Sequence, residues 1–115
     1  MEEAQQQILL LRSAPGTPEM ASALRLAKAS RERARAVALV LVQDAVLCTL
    51  AASELESARY LRTLLRNGVR CAYLAEDLGM RGYRSGDVTP GCQEIDYASL
   101  VALLLADCAR VAGAF

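Results

Sequence analysis

The side chains best suited to chemistry in this chain are its thiols, because the sequence contains four cysteines and no histidine. The cysteines are widely spaced and include no C-x-x-C pair: Cys48, Cys71, Cys92 and Cys108. Zinc sites take their ligands from closely spaced cysteines or from histidines. The spacing therefore argues against a metal site, and the absence of histidine excludes Ser-His and Cys-His catalytic pairs. We expect neither a metal nor a cofactor.

Cys48 is the candidate for thiolate chemistry, because it follows the predicted second strand and precedes a predicted helix. A reactive thiolate must be exposed, and a positive neighbour or a helix N-terminus should lower its pKa. The alternative is a small buried apolar residue, a common role for free cysteine. Cys71 lies within a predicted strand and Cys108 near the end of an apolar helix, so both are expected in the core. Cys92 is expected to be exposed, without a mechanistic context.

Polar residues follow the first two apolar segments, at the place where α/β proteins usually hold their functional groups. Arg12 and Ser13 come after the first segment and Asp44 after the second. Arg12 and Ser13 occupy the usual position of a phosphate loop, but the G-x-x-x-x-G-K pattern is absent. Asp44 either orders a loop that faces a partner subunit or forms an Asx-type cap on the following turn.

A second polar group follows the third apolar segment and contains Glu76, Asp77, Arg81 and Gly82. Glu76 and Asp77 either form an acid–base pair or favour the first turn of a short helix through its dipole. Arg81 either attracts an anion such as a thiolate or closes a salt bridge with one of these two carboxylates. Gly82 is expected to supply a backbone conformation that is barred to other residues.

Alternating apolar segments and amphipathic stretches must position these residues. Fully apolar runs suit strands that are buried on both faces. The predicted strands span residues 8–11, 36–42, 69–74, 93–96 and 110–115, and the predicted helices lie between them. The fold class is therefore α/β, a three-layer sandwich with a mostly parallel five-stranded sheet of the flavodoxin-like type.

Local signals mark where the helices begin and end. Thr17 is a predicted N-cap with Pro18 at the first helical position. The segment from Ser53 to Glu56 has the pattern of a capping box and predicts the start of the next helix. Gly68 suits the left-handed position that closes that helix. The last helix is predicted over residues 97–108.

Length and composition limit the possible functions. The 115 residues are expected to form one domain, residues 1–115. Thirteen basic and thirteen acidic residues balance, so the positive excess that a nucleic-acid surface needs is missing. An apolar fraction of 54% is high, and we expect part of it to cover a subunit interface. No apolar run approaches the roughly 20 residues of a membrane span, and the acidic, polar N-terminus is no signal peptide. A cytoplasmic protein with free thiols is expected.

Four segments in order resemble the DsrH/TusB family of small α/β proteins. Arg12-Ser13 followed by Pro15 is similar to a family turn after the first strand. Residues 41–46, Leu-Val-Gln-Asp-Ala-Val, resemble a strand that ends in Gln/Glu-Asp-Gly-Val. Residues 69–82 resemble the hydrophobic-Tyr-x-Leu-x-x-Asp-Leu-x-x-Arg-Gly signature. Pro-Gly at 90–91 and Ile-Asp-Tyr at 95–97 resemble the closing motifs.

The resemblance implies a place in a hetero-oligomer beside DsrE/TusD-like and DsrF/TusC-like subunits. Such complexes receive a persulfide and pass it on, for 2-thiouridine synthesis in tRNA or for sulfur oxidation. Their acceptor cysteine lies just past the third strand of the DsrE/TusD-type subunit. The matching position here is about Leu74, which cannot carry sulfur, and residues 22–24 lack the first-helix cysteine of some DsrH-type proteins.

Three functions follow from these observations. The first is a non-catalytic, accessory subunit of a sulfur-relay complex, which completes the oligomer and shapes the surface where a sulfur-carrier protein docks. The second is a stand-alone sulfurtransferase that uses Cys48, for which a homo-oligomer is the natural assembly. The third is a small-ligand-binding α/β module, which rests on fold analogy alone.

Overall fold

A computed structural model of the protein describes residues 6–106 and 109–115. The sheet has five strands in the order β4-β3-β2-β1-β5, and every pairing between them is parallel. The strands are β1 (Gln6–Leu11), β2 (Val37–Leu41), β3 (Arg70–Leu74), β4 (Cys92–Ile95) and β5 (Ala109–Ala114). The helices are α1 (Pro18–Glu32), α2 (Glu56–Arg66), α3 (Ala75–Met80) and α4 (Tyr97–Leu104), and a 3₁₀ helix spans Gln43–Thr49. The predicted α/β class and its parallel five-stranded sheet are confirmed.

Helices cover both faces of the sheet, because successive strand residues point to opposite sides. On one face, Leu9 and Leu11 of β1 pack in a cluster with Leu24 of α1 and Leu61 of α2. On the other face, the buried residues come from four strands and α4: Ile8, Val40, Leu74, Ile95 and Leu100. The central strand β2 is buried along its whole length, which explains its unbroken apolar sequence. The core therefore consists of two apolar layers with the sheet between them.

The start of α1 and the end of α2 agree with their local signals. The Thr17 hydroxyl oxygen accepts a hydrogen bond from the Met20 amide at 3.2 Å, and Pro18 occupies the first helical position. Asn67 ends α2, and Gly68 follows with a φ of +93°. Arg31 of α1 donates from Nε to the Asn67 carbonyl at 2.9 Å. The turn that closes α2 is therefore also tied to the neighbouring helix.

The predicted start of α2 is wrong, since the helix begins at Glu56 rather than at Ser53. The Ser53 hydroxyl accepts from the Leu55 amide at 3.3 Å and forms no capping box. Arg62 instead donates from Nη2 to the Ser53 carbonyl at 2.8 Å and holds the preceding loop against α2. A tertiary contact thus replaces the local cap. The last helix ends at Leu104, and the predicted core residue Cys108 lies outside the described residues.

No helix in residues 6–106 or 109–115 is both long enough and apolar enough to cross a membrane.

Candidate functional site at the carboxyl edge of the sheet

The carboxyl ends of β1, β2 and β3 lie side by side, because all three strands run in the same direction. The 3₁₀ helix Gln43–Thr49 follows β2, and α3 follows β3 directly. The structure therefore brings the two predicted polar groups, one after β2 and one after β3, to one edge. This is the edge at which open α/β sheets usually bind their ligands.

Asp44 and Arg81 form the ion pair that joins the two groups. Arg81 donates to Oδ1 of Asp44 from Nη2 at 2.9 Å and from Nε at 3.1 Å. Arg81 also donates from Nη1 to the main-chain carbonyl of Asp77 at 2.9 Å. The predicted salt bridge of Arg81 with Glu76 or Asp77 is therefore wrong, because the carboxylate that Arg81 binds belongs to Asp44. The expected Asx-type cap at Asp44 is also wrong, since the 3₁₀ helix has no side-chain cap.

Glu76 and Asp77 each accept a main-chain hydrogen bond from a different loop. Oδ2 of Asp77 accepts from the Gln43 amide at 2.6 Å, and Oε2 of Glu76 accepts from the Tyr97 amide at 3.3 Å. The two carboxylates therefore hold the start of the 3₁₀ helix and the start of α4, and they do not bond to each other. This arrangement favours a positioning role over an acid–base pair.

Gly82 has the backbone conformation that the sequence predicts. Its φ is +86°, in the left-handed region that favours glycine. The chain then turns back, so that the Tyr83 amide donates to the Leu78 carbonyl at 3.3 Å. This turn closes α3 and carries Tyr83 toward the loop that follows β2.

Arg12 and Ser13 reach the same edge but make different contacts. Arg12 is exposed, and the Ser13 amide donates to the carbonyl of Phe115, just past β5, at 3.1 Å. The Gly16 amide donates to the Ser57 hydroxyl at 3.1 Å, which fixes the turn against α2. Among the described residues, neither Arg12 nor Ser13 bonds to the Asp44–Arg81 pair. These contacts are those of a structural turn.

An apolar cleft of about 720 Å³ opens between the loops that follow β1, β2 and α3. Leu55 and Tyr83 line it and are 56% and 40% exposed. Ala14, Pro15 and Leu50 lie on its other walls. No sequence motif predicted this cleft. The available signal was Leu55, a large apolar residue inside a segment that otherwise has the polar pattern of a capping box.

Cys48 lies in the 3₁₀ helix but is only 1% exposed. Burial raises the pKa of its thiol from 9.0 to about 12, because the thiolate would lose its hydration. At neutral pH the group is a buried, protonated thiol, and its neighbour Thr49 is buried as well. These properties are those of a core residue.

Two other cysteines, for which the sequence predicted unrelated positions, are neighbours in the sheet. Cys71 of β3 and Cys92 of β4 are direct partners in the strand register. The hydrogen bond between their thiols raises the pKa of Cys71, with burial acting in the same direction, and lowers the pKa of Cys92. In residues 6–106 and 109–115, no cluster of three or more cysteine or acidic side chains could hold a metal ion.

Solved structures with the same fold exist for other proteins. The ychN protein from E. coli superposes with a TM-score of 0.82 at 24% identity, over 96% of this chain and 99% of that chain. A protein of unknown function from Methanobacterium thermoautotrophicum superposes with a TM-score of 0.72 at 13% identity, over 94% of this chain and 97% of that chain. At sequence identities of 24% and 13%, these superpositions show a shared fold alone.

A family model identifies the chain more narrowly. The search of curated proteins returns no match. The family model described as "DsrH like protein" matches residues 12–108, which include β2 to β4, the Asp44–Arg81 pair and both partners of the cysteine pair. This match covers most of the 115 residues. The chain belongs to the DsrH-like family, which is associated with sulfur relay and whose members generally work in complexes with DsrE- and DsrF-type partners.

Proposed function

We propose that this chain is an accessory, non-catalytic subunit of a persulfide-transfer complex that serves tRNA 2-thiouridine synthesis or sulfur oxidation. Its partners would be DsrE/TusD-like and DsrF/TusC-like subunits, and the complex would hand sulfur to a carrier protein. Family membership supports the sulfur-relay context. The accessory role rests on the surface of α4 and on the state of the thiols near the carboxyl edge.

The observation that carries the proposal is an exposed apolar stripe on α4. Tyr97, Val101 and Leu105 are 63%, 40% and 74% exposed, and they follow one another at four-residue intervals along one face of the helix. Leu100, about 100° around the helix from Val101, packs into the core. Contiguous exposed apolar side chains are typical of subunit interfaces. We infer that this stripe is covered by a partner subunit of the relay complex.

The thiols near the carboxyl edge support a role other than carrying sulfur. The position that resembles the acceptor cysteine of DsrE/TusD-type subunits is Leu74, which is 6% exposed and packs in the core. Cys48 is buried and its pKa is about 12, so it is a poor nucleophile at neutral pH. The acceptor thiol would therefore come from a partner subunit, and this chain would contribute the surfaces that bind the partner subunits and the carrier protein.

The apolar cleft that Leu55 and Tyr83 line is our proposed docking place for the carrier protein. Its walls are mostly apolar, and the Asp44–Arg81 pair joins the segment after β2 to the end of α3, from which two of its walls continue. Apolar clefts with a few oriented polar groups are the usual form of a binding site. The docking segment would insert an apolar side chain between Leu55 and Tyr83.

Native mass spectrometry of the untagged protein, isolated from its own cells, tests this proposal. We expect it to co-purify with two similar-sized α/β subunits. A homo-oligomer without these partners would contradict the accessory role and would favour a self-sufficient sulfur carrier. In that event, incubation with a persulfide donor and intact-mass measurement of wild-type and Cys48→Ser proteins would identify the carrying thiol.

A further inference from the structure

We propose that Cys71 and Cys92 form a reversible dithiol–disulfide site that reacts with small anionic disulfides. The site lies near the amino ends of β3 and β4, at the opposite end of the strands from the carboxyl-edge cleft. The proposal does not depend on the accessory role proposed above. It rests on strand register, on the unequal exposure of the two thiols and on the charge of the neighbouring cleft.

The strand register places the two thiols within bonding reach. Cys71 and Cys92 are direct partners on neighbouring parallel strands, and both side chains pack in the same apolar cluster on one face of the sheet. Adjacent strands are roughly 4.8 Å apart, which falls inside the range of about 4.4–6.8 Å between the Cα atoms of disulfide-bonded cysteines. β4 is a four-residue strand at the edge of the sheet, so it can adjust when the bond forms.

The two thiols have unequal environments, as an attacking and a resolving cysteine require. Cys92 is half-buried and is reachable from solvent, whereas Cys71 is 4% exposed. The neighbouring Cys71 thiol lowers the pKa of Cys92, which favours the thiolate form of Cys92. Cys92 is therefore the thiol that meets an external disulfide, and Cys71 is held beside it as the second thiol.

The cleft next to this pair favours an anionic reactant. It has a volume of about 650 Å³, and Cys71, Gly91, Arg66 and Arg70 are among its lining residues. None of the described lining residues is acidic, while Arg66 and Arg70 are exposed cations. A disulfide with carboxylate groups would be drawn to this rim, and a cationic disulfide would be repelled.

The reaction consists of two exchange steps. The Cys92 thiolate attacks one sulfur of the small disulfide, whose S–S bond breaks as one thiolate leaves and a mixed disulfide forms. Cys71 then loses its proton to solvent, and its sulfur attacks the Cys92 sulfur and displaces the second thiolate. The protein loses two protons and two electrons, and the small disulfide is reduced to two thiols. The product links the edge strand β4 covalently to β3.

Incubation of the intact protein with glutathione disulfide, followed by alkylation under denaturing conditions and peptide mapping, tests the site. Before alkylation, the intact protein should be about 2 Da lighter than the reduced protein. Peptide mapping should then find a peptide pair joined through Cys71 and Cys92, and dithiothreitol should reverse both changes. The Cys71→Ala protein should stop at a single glutathione adduct on Cys92. The Cys92→Ala protein should leave Cys71 free, and the Cys48→Ala control should behave as wild type.

Two further measurements do not depend on the folding of the cysteine variants. In wild-type protein, native alkylation should modify Cys92 at least about tenfold faster than Cys48. Glutathione disulfide should react severalfold faster than cationic cystamine at low salt, and an Arg66→Gln/Arg70→Gln protein should lose this preference. Free thiols at both Cys71 and Cys92 after incubation would overturn the proposal, as would a disulfide to Cys108 in their place.

Discussion

Arg81 donates two hydrogen bonds to Oδ1 of Asp44, at 2.9 and 3.1 Å, across 37 residues of sequence. The pair ties the segment after β2 to the end of α3, and the Asp77 carboxylate reinforces the same junction through the Gln43 amide. Asp44 is 58% exposed and Arg81 is 25% exposed, so water and salt screen the attraction. The pair is therefore better suited to holding loop positions than to stabilising the fold.

Replacement of Asp44 by alanine should change stability only slightly. We expect the free energy of unfolding to fall by about 0.2–1 kcal/mol, the usual value of an exposed ion pair. Urea denaturation measures this loss, and high salt should reduce the difference from wild type. Glu54→Ala, at an exposed position with no described ion pair, is the matched control. A loss above about 2 kcal/mol would contradict the solvent-screened interpretation.

Ala34 lies just past the C-cap of α1 with a φ of +61°, a conformation that favours glycine. The Ala34→Gly protein should be more stable by about 0.5–1 kcal/mol, because relief of the left-handed strain exceeds the added freedom of the unfolded chain. The same change at Ala29, exposed within α1, should lower stability by about 1 kcal/mol. Thermal or urea unfolding of both proteins measures the two changes in stability. A loss of stability in both proteins would be inconsistent with the left-handed conformation of Ala34.

Cys48 makes stability depend on alkaline pH. Its pKa is raised from 9.0 to about 12 in the folded protein, so the unfolded chain releases this proton first. The contribution of the buried thiol to the free energy of unfolding is complete below pH 9. It is lost as the pH rises toward 12, at a slope of at most about 1.4 kcal/mol per pH unit. The Cys48→Ala protein should lack this part of the decline when urea unfolding is measured from pH 8 to pH 11.

The same Cys48→Ala protein, or the Cys48→Ser protein, should retain sulfur transfer in the reconstituted complex. Transfer from a persulfide donor to the carrier protein is the measurement, and the variants must first be shown to be folded by circular dichroism. Loss of transfer in a folded variant would mean that Cys48 carries sulfur.

The apolar stripe on α4 predicts that one charge can abolish assembly. Val101→Glu should leave the free energy of unfolding within about 0.5 kcal/mol of wild type, because the side chain is 40% exposed, but should prevent partner subunits from co-purifying. Leu26→Glu is the matched control, since Leu26 is 37% exposed on α1, on the other face of the sheet. Equal recovery of partners with both variants would place the interface elsewhere.

The sequence alone determined the order and class of the elements. Apolar runs at the strands and the cap at Thr17 act locally, so the parallel α/β fold could be predicted without tertiary information. The same holds for Gly82, whose left-handed turn depends on its own backbone. The start of α2 could not be predicted, because Arg62 binds the Ser53 carbonyl from outside the local segment.

Only the tertiary structure decided which chemical groups meet. Cys71 and Cys92 are neighbours because β4 pairs with β3 in one register, a choice made by the packing of the whole sheet. Arg81 pairs with Asp44 because two strand ends lie side by side. Cys48 is unreactive because packing from several elements removes its water, and the raised pKa follows from that burial. Local sequence sets backbone conformation, whereas charge pairing and thiol reactivity depend on distances that only the folded chain defines.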